Sequence, residues 1–511
     1  MTRINSNVAS LIAQVNLGRS NADLDVRLQR LSTGLQINRG ADNPAGLIIS
    51  ERLRSEIRGT EQGILNAERA SSVISTAEAA LNEVSDLLNS IKALVVEANN
   101  TGALSIEERE ANQLQVDSAI DAITRIANTS SFGGLKLLNG ELDYIASGID
   151  DTNIIQTKIN SVFFGNRDTV PVDVEVIGSA QQAGVYLQGT AATLGGTAAG
   201  DLPPTPTTLR IAGPDGVEEL TFVSGQTLDD VVAAVNLYTA ATGVVASRAS
   251  AADISSGIIF RSANYGSEAF VSIEAVEGGS TFNFGRIPSN GAPPLVWATA
   301  EAANRDNGKD VDVVINGAIA RGRGLEVDLR TPLLDMSMLL AETFATTVSG
   351  TPESFDIIGG GSRFQLGPQV NVQQQVDIGI GSVHAARLGG TYVDTPAGKV
   401  LQFLSSLKTG NDNDLVTGDR ENASKILESA IDDVTTMRGR LGAFEKNILQ
   451  PNVRSLQTAL QSLTASESVI RDADFAKETS ALTRAQILSQ TGTTVLATAN
   501  ANAQNVLQLL G

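Results

Sequence analysis

The chain has 511 residues. This length exceeds what a single hydrophobic core usually supports, so we expect two to four domains. Its net charge of −20 argues against binding to nucleic acid or to an anionic membrane surface, because both carry charge of the same sign. The lack of cysteine excludes disulfides and thiolate metal sites, and the single histidine, His384, excludes sites built from several imidazoles.

The amino-terminal segment predicts helices. Residues 4–18 contain no charged side chain, and apolar residues recur every three or four positions from Ile4 to Val15 and again from Leu24 to Leu35. A break is expected at residues 42–46, which read DNPAG. The same sequence shows no basic start and apolar run of a secretory signal peptide, so on the residues alone the protein is cytosolic or uses another export route.

Two further helices are predicted before the first aromatic residue, Phe132. An apolar stripe continues from Ile57 to Val95. A third helix starts after Ser105, whose hydroxyl and the carboxylate of Glu108 make a capping-box pair.

The middle of the chain has a different composition. Twelve of the fourteen prolines lie between Pro171 and Pro396. Residues alternate between apolar and polar from Val172 to Val176 and from Leu325 to Leu329, which is the period of a half-buried strand. Asn316-Gly317 is a favoured tight-turn pair. We expect an inserted α+β region here.

The carboxyl-terminal segment returns to helical periodicity. Apolar residues recur from Val434 to Ile448, and the stripe continues past Pro451 to Leu463. From Ala485 to Gly511 no charged residue occurs. Charge-free ends are unusual because termini normally fray in water. Neither end holds the apolar run of a membrane span, so we expect the two ends to be buried against each other and against copies of themselves.

Catalysis and metal binding find little support. Lone His384 is interpreted as a packed or surface side chain. Oxygen ligands cluster at residues 411–414, but an EF-hand loop needs a further ligand where Leu415 stands, so a polar linker is the favoured interpretation. We predict no catalytic residue, no cofactor and no metal site.

Sequence motifs at both ends carry a specific resemblance. In the first arm they are INSN at residues 4–7, LQRLSTGLQIN at 28–38, ADNPAG at 41–46, EAALNE at 78–83 and FGG at 132–134. In the second arm they are LGA at 441–443, IRDADFAKE at 470–478, RAQIL at 484–488, QTG at 490–492 and QNVLQLL at 504–510. In these segments the chain resembles the bacterial flagellins, the subunits of the flagellar filament.

The resemblance implies a fold and a domain order. We expect a multidomain protein with an all-α core, a coiled-coil and helical bundle formed by paired amino- and carboxyl-terminal arms, and an inserted β-rich α+β outer region. The predicted domains are an inner-core arm at 1–43, a helical shell at 44–150, a variable surface-exposed region of two subdomains at 151–410, the second part of the shell at 411–465 and a second inner-core arm at 466–511.

The resemblance also implies function and partners. Flagellins polymerise into the extracellular filament used for motility, after unfolded export through the flagellar type III apparatus without a cleaved signal peptide. The implied partners are other copies of the chain, the hook–filament junction and filament cap proteins, and a secretion chaperone at the carboxyl-terminal arm. The residues predicted to carry assembly are Ile4, Val8, Leu11, Val15, Leu24, Leu28, Leu31, Leu35, Leu488, Val495, Leu496, Ala499, Val506, Leu507, Leu509 and Leu510.

One segment aligns with the helix that a flagellin-sensing Toll-like receptor recognises. Residues 88–97 keep Ile91, Lys92, Leu94 and Val96 of that motif. Ser90 and Ala93, however, stand where recognised flagellins carry an arginine and a glutamate, so charged hydrogen-bonding groups are lost.

We therefore expect weak receptor activation. A receptor-reporter assay checks this expectation, and potency equal to that of an enterobacterial flagellin would contradict it.

Three alternatives remain open at this point. A hook–filament junction protein shares the paired-arm design but occurs in few copies. A flagellin with a hydrolase in the middle region is opposed by the lack of cysteine and the single histidine. An adhesin, in which the middle region binds a surface or a glycan, is compatible with the sequence as a secondary role.

Overall fold

The computed structural model describes residues 7–100, 102–187, 207–223, 226–249, 257–277, 283–287, 301–348, 350–395 and 398–510. The chain divides into two compact units. The first unit comprises Met1–Ile74, Phe364–Gln375 and Gly442–Gly511, and the second comprises Ser75–Arg363 and Val376–Leu441.

The two ends of the chain are helical, as their apolar periodicity predicts. The α-helices of the described residues are α1 (Val8–Thr33), α2 (Pro44–Ala98), α3 (Ile106–Thr129), α4 (Leu228–Leu237), α5 (Thr239–Thr242), α6 (Glu342–Ala345), α7 (Arg420–Phe444), α8 (Gln450–Arg471) and α9 (Phe475–Leu510). Short 3-10 turns occupy Val372–Gln374 and Leu404–Leu407.

The middle of the chain is rich in strands. In chain order these are β1 (Ser131–Phe132), β2 (Leu135–Lys136), β3 (Tyr144–Ser147), β4 (Ile154–Val162), β5 (Val170–Gly178), β6 (Gly184–Leu187), β7 (Thr207–Gly213), β8 (Gly216–Phe222), β9 (Val244–Arg248), β10 (Ile258–Ser262), β11 (Phe270–Glu277), β12 (Phe284–Arg286), β13 (Glu301–Ala302), β14 (Arg305–Asn307), β15 (Asp312–Ile315), β16 (Ala318–Arg323), β17 (Glu326–Arg330), β18 (Leu334–Leu340), β19 (Glu353–Gly360), β20 (Ser362–Gln365), β21 (Gln375–Ile378), β22 (Thr391–Thr395) and β23 (Gly398–Gln402).

The first helix ends earlier than its apolar spacing predicts. The stripe from Leu24 to Leu35 suggested one continuous helix, but α1 stops at Thr33 because Gly34 adopts a left-handed conformation with φ 72° and its N–H donates to the carbonyl oxygen of Arg30. Leu35 lies outside the helix and forms an isolated antiparallel bridge with Asp472. The prediction that Leu35 continues the helical stripe was therefore wrong.

The DNPAG segment at residues 42–46, where a break between helices was expected, also contains the start of α2. The N–H of Gly46 donates to Oδ1 of Asn43 at 2.9 Å, and Pro44 occupies the first helical position, where its missing N–H has no cost. A methyl group at Gly46 would lie 2.7 Å from Cδ1 of the buried Ile37. Glycine at this position thus allows the connecting loop to pack closely against α2.

Helices α7 and α8 join through a π turn that sequence periodicity did not predict. Residues Glu445–Leu449 form this turn, and Pro451 follows at the start of α8, where a proline is tolerated. The hydroxyl of Ser71 donates to Glu445 Oε1 at 2.7 Å, and the ring of Phe444 lies 6.2 Å from that of Phe364. Ile448 was expected on the apolar stripe, but it lies in the π turn and is exposed.

Several local predictions are confirmed. Ser105 and Glu108 form the capping box that begins α3. Asn316 and Gly317 make the turn between β15 and β16, with φ angles of 50° and 80°.

The second unit contains two separate β cores. An eight-stranded antiparallel sheet has the order β3-β19-β5-β15-β16-β17-β18-β4, and its inner face carries the first core, which includes Val174, Val313 and Met336. Sheets β13-β12-β6-β10-β9 and β14-β11-β7-β8 enclose the second core with α4. This arrangement agrees with the expected β-rich α+β middle region.

Candidate assembly interface

The two terminal helices of the chain pair with each other inside the first unit. Asn7 Nδ2 donates to the carbonyl oxygen of Ala499 at 3.0 Å, and Ser489 Oγ donates to Asn21 Oδ1 at 2.7 Å. Position numbers rise along α1 as they fall along α9, so the pair is antiparallel. The sequence expectation that the two charge-free ends meet is satisfied within one chain.

Small side chains form the seam between α1 and α9. Ser10, Ala13 and Ala485 are buried there. A methyl group at Gly492 would lie only 3.1 Å from Cδ1 of Leu17. Small residues let helix backbones approach closely, and a larger residue at position 492 would require the side chain of Leu17 to shift.

A buried carboxylate fixes the other end of the pair. Glu478 of α9 is 5% exposed and lies against two arginines of α1. Arg27 Nη1 donates to Oε1 at 3.1 Å and to Oε2 at 2.9 Å, and Arg30 Nη1 donates to Oε1 at 3.2 Å. Burial alone would raise the pKa of Glu478, but the hydrogen bonds and charges of Arg27 and Arg30 outweigh it and lower the pKa below its usual value.

The motif at residues 470–478 contains Glu478 but does not by itself predict this contact. A signal was present, because Glu478 is the single acidic residue in the 36 residues of α9. Arg27 and Arg30, three positions apart, lie on one face of α1. A lone carboxylate in an otherwise acid-free helix, with a spaced arginine pair on its partner, predicts a register-setting contact.

The predicted assembly residues divide into two groups. Leu24, Leu31, Leu35, Leu496 and Ala499 are half-buried. The larger apolar side chains face outward, with Val15 54% and Leu488 50% exposed, and Val8, Leu11, Leu28 and Val495 are similarly exposed. Ile4 lies outside the described residues, and the side chains of Val506, Leu507, Leu509 and Leu510 lie outside the described side chains. Some of the predicted assembly leucines are thus partly covered in the single chain, whereas six of the large apolar residues remain exposed.

The aligned receptor segment lies on α2 in the second unit. Ile91 is fully buried, Leu94 is half-buried and Val96 is 63% exposed. Lys92 Nζ lies 3.2 Å from Glu428 Oε1 of α7. Of the four residues, only Lys92, Leu94 and Val96 offer surface to a partner.

Other candidate chemistries occupy ordinary structural positions. His384 Nδ1 accepts the N–H of Ala386 at 3.3 Å. Asp414 accepts the N–H groups of Val416 and Gly418, which builds a turn before α7. Within the described ranges, His, Asp and Glu side chains form no group of three suited to a metal ion. None of the described helices is long and apolar enough to span a membrane.

Comparison with known proteins places these helices in a family. Residues 4–143 match the family model described as the bacterial flagellin N-terminal helical region, and residues 424–510 match the bacterial flagellin C-terminal helical region. Residues 208–264 match the flagellin hook IN motif. The chain is 30% identical to a flagellin of Salmonella rubislaw, with 99% of both chains covered.

Other flagellins are also similar to this chain over nearly their full length. The chain is 27% identical to the flagellin of Salmonella muenchen and to flagellin B of Vibrio cholerae, again covering 99% of both chains. The chain thus belongs to the bacterial flagellin family. Flagellins are structural proteins and not enzymes, and they form the flagellar filament, which lies outside the cell.

Solved structures with detectable similarity include flagellar proteins at low identity. FliC from Burkholderia pseudomallei is 14% identical, with 75% of this chain and 99% of that chain covered and a TM-score of 0.23. The D1-D2-D3 domains of the flagellar cap protein FliD from Escherichia coli are 10% identical, with 75% and 99% covered and a TM-score of 0.26.

The buried carboxylate gives a pH-dependent prediction. Because the folded pKa of Glu478 is lowered, its stabilisation is full above the unfolded pKa of a glutamate, about 4.3, and is lost as the pH falls through the folded pKa. We expect Glu478→Gln to weaken the α1–α9 pair at neutral pH by about 1.5–3 kcal/mol, the usual size of a hydrogen bond to a charged group. Thermal unfolding of the terminal helices between pH 3 and 7, followed by circular dichroism, measures the effect.

The matched control is Glu421→Gln, which alters an exposed carboxylate beside Lys425. The control should follow the parent protein at every pH. Equal stability of Glu478→Gln and the parent at pH 7 would show that the ion triad does not hold the pair.

Proposed function

We propose that the chain polymerises into the flagellar filament through the outward apolar face of the α1–α9 pair. The observation that carries this proposal is the exposure of large apolar residues on both helices of the pair. Contiguous apolar surface on a soluble protein marks a site of interaction. Burying each such valine or leucine against another copy contributes about 1.5–3 kcal/mol.

Membership of the flagellin family suggests which partner would cover this apolar face. In a homopolymer of flagellin the nearest helices of matching character are the terminal pairs of other copies, and we propose that they form a coiled-coil inner core there. The hook–filament junction and filament cap proteins, and a secretion chaperone at the carboxyl-terminal arm, are further proposed partners. A hook–filament junction role for this chain is not favoured, because flagellins match it over 99% of both lengths.

We also propose that the chain is exported unfolded through the flagellar type III apparatus. The support is the absence of cysteine in all 511 residues, since a disulfide would oppose passage of an extended chain. A stable, fast-folding domain inserted at the exposed Asn316–Gly317 turn should block export, whereas the same domain carrying a destabilising mutation should pass. Comparing secreted and retained protein on immunoblots checks this, and equal secretion of both insertions contradicts unfolded export.

Charged substitutions on the outward face test polymerisation. We expect Val15→Asp and Leu488→Asp to raise the critical concentration for filament growth at least about tenfold, because a loss of 1.4 kcal/mol changes an equilibrium constant tenfold. Both side chains are half exposed in the single chain, so the subunit should still fold. Sedimentation of polymer from seeded monomer measures the change.

Ile319→Asp is the matched control. Ile319 is 79% exposed but belongs to β16 in the second unit, away from the terminal helices in sequence. Its filaments should grow normally. An equal effect of all three substitutions would mean that the outward face of α1 and α9 has no special part in assembly.

The carboxyl-terminal residues provide a second test. Deleting residues 505–511 is expected to abolish filaments while the middle region stays folded, because the removed segment contains four of the predicted assembly residues. Electron microscopy of the secreted product, together with circular dichroism of its strand signal, gives the readout. Filaments of normal length from this truncation would overturn the assigned role of the tail.

A further inference from the structure

The second unit contains a large cleft that the proposed polymerisation does not use. Its walls are formed by residues of β4, β17 and β18, helix α7, the segment 379–393 and residues 264–265 and 341–343. Its volume is about 1530 Å³, above the roughly 300–1,000 Å³ of typical small-molecule pockets. The cleft therefore has room for an extended ligand made of several linked units.

The charges that line the cleft are balanced, although the chain as a whole carries −20. Eight carboxylates face seven lysine and arginine side chains. Some of these charged groups already have partners: Lys158 Nζ lies 2.5 Å from Asp433 Oδ1, and Asp335 Oδ1 accepts a hydrogen bond from the amide of Asn160 at 2.9 Å. With an excess of only one negative charge, the cleft focuses neither anions nor cations strongly. Its many donors and acceptors suit an uncharged polar ligand.

One corner of the cleft combines aromatic rings with a carboxylate. The hydroxyl of Tyr265 donates to Glu342 Oε1 at 2.6 Å. Burial, that hydrogen bond and the charge of Glu342 raise the pKa of Tyr265, while burial and the charge of the same carboxylate raise the pKa of Tyr392. Both hydroxyls therefore stay protonated at physiological pH. All three side chains line the cleft.

This combination matches the surface chemistry of neutral sugars. A pyranose ring presents a C–H face that packs on an aromatic ring, and its edge carries hydroxyl groups that carboxylates and amides can bind. We propose that the cleft binds an uncharged oligosaccharide, with Tyr265 and Tyr392 packing against sugar faces and Glu342 accepting sugar hydroxyl groups. If the chain polymerises as proposed, one cleft in every subunit would convert weak single sites into strong attachment. The cleft itself does not depend on that proposal.

Saturation-transfer NMR on the full-length protein tests the site. The probes are three uncharged tetrasaccharides (maltotetraose, cellotetraose and N-acetylchitotetraose) and one charged heparin tetrasaccharide. We expect transfer to at least one uncharged probe and about a tenfold loss of affinity in Tyr392→Ala. Tyr238→Ala, at an exposed tyrosine between α4 and α5 outside the cleft, is the matched control and should bind as the parent does.

A second variant guards against misfolding of the first. Glu342 is exposed and its amide isostere keeps the side-chain shape, so Glu342→Gln should fold normally and bind the same probe more weakly. Transfer to none of the uncharged probes, binding of the heparin probe alone, or unchanged affinity in Glu342→Gln would overturn the proposal. The assay does not need polymer. Its result therefore tests the sugar site even if the protein does not polymerise.

Discussion

The antiparallel contact between α1 and α9 is the constraint on which the account of this protein depends. It joins residues 448 to 492 positions apart, and one end is held by a carboxylate buried between two arginines. Breaking such a buried charge contact is costly because the remaining charges lose their partners. Small residues along the rest of the seam let the two helices approach closely, but they do little to fix the register of the helices. We therefore assign the register of the pair to Glu478 and its closeness to residues such as Gly492.

The use of small residues and one ion triad to hold the two helices together explains why large apolar side chains remain on the surface. A seam filled by leucine and valine would satisfy each chain by itself. Here the buried seam residues include Ser10, Ala13 and Ala485, Leu17 packs against a glycine, and residues such as Val15 and Leu488 are half exposed. The single chain is consequently left with apolar surface that water disfavours. Other copies of the same pair are the partner that we propose for this surface.

Sequence reasoning predicted the elements of the arms better than their contacts. The three-four spacing and the Ser105–Glu108 capping box located helices correctly because these signals are local. It wrongly extended α1 to Leu35, since apolar spacing does not register the left-handed turn that Gly34 makes. The π turn at Glu445–Leu449 was not predicted for a related reason. One inserted residue hardly changes the three-four spacing of apolar residues. Outward exposure of the assembly residues could not be predicted, because periodicity identifies an apolar face but not what covers it.

The closest test of the central claim uses the natural absence of cysteine. A Cβ atom built at position 492 lies 3.6 Å from Cβ of Leu17, a separation within the range of Cβ–Cβ distances in disulfides. In filaments of the double variant Leu17→Cys and Gly492→Cys, mild oxidation is predicted to form a cross-link within each subunit, so that the denatured product migrates as a compact single chain. Cross-links mainly between different chains, or none at all, would contradict the pairing of α1 with α9 of the same subunit.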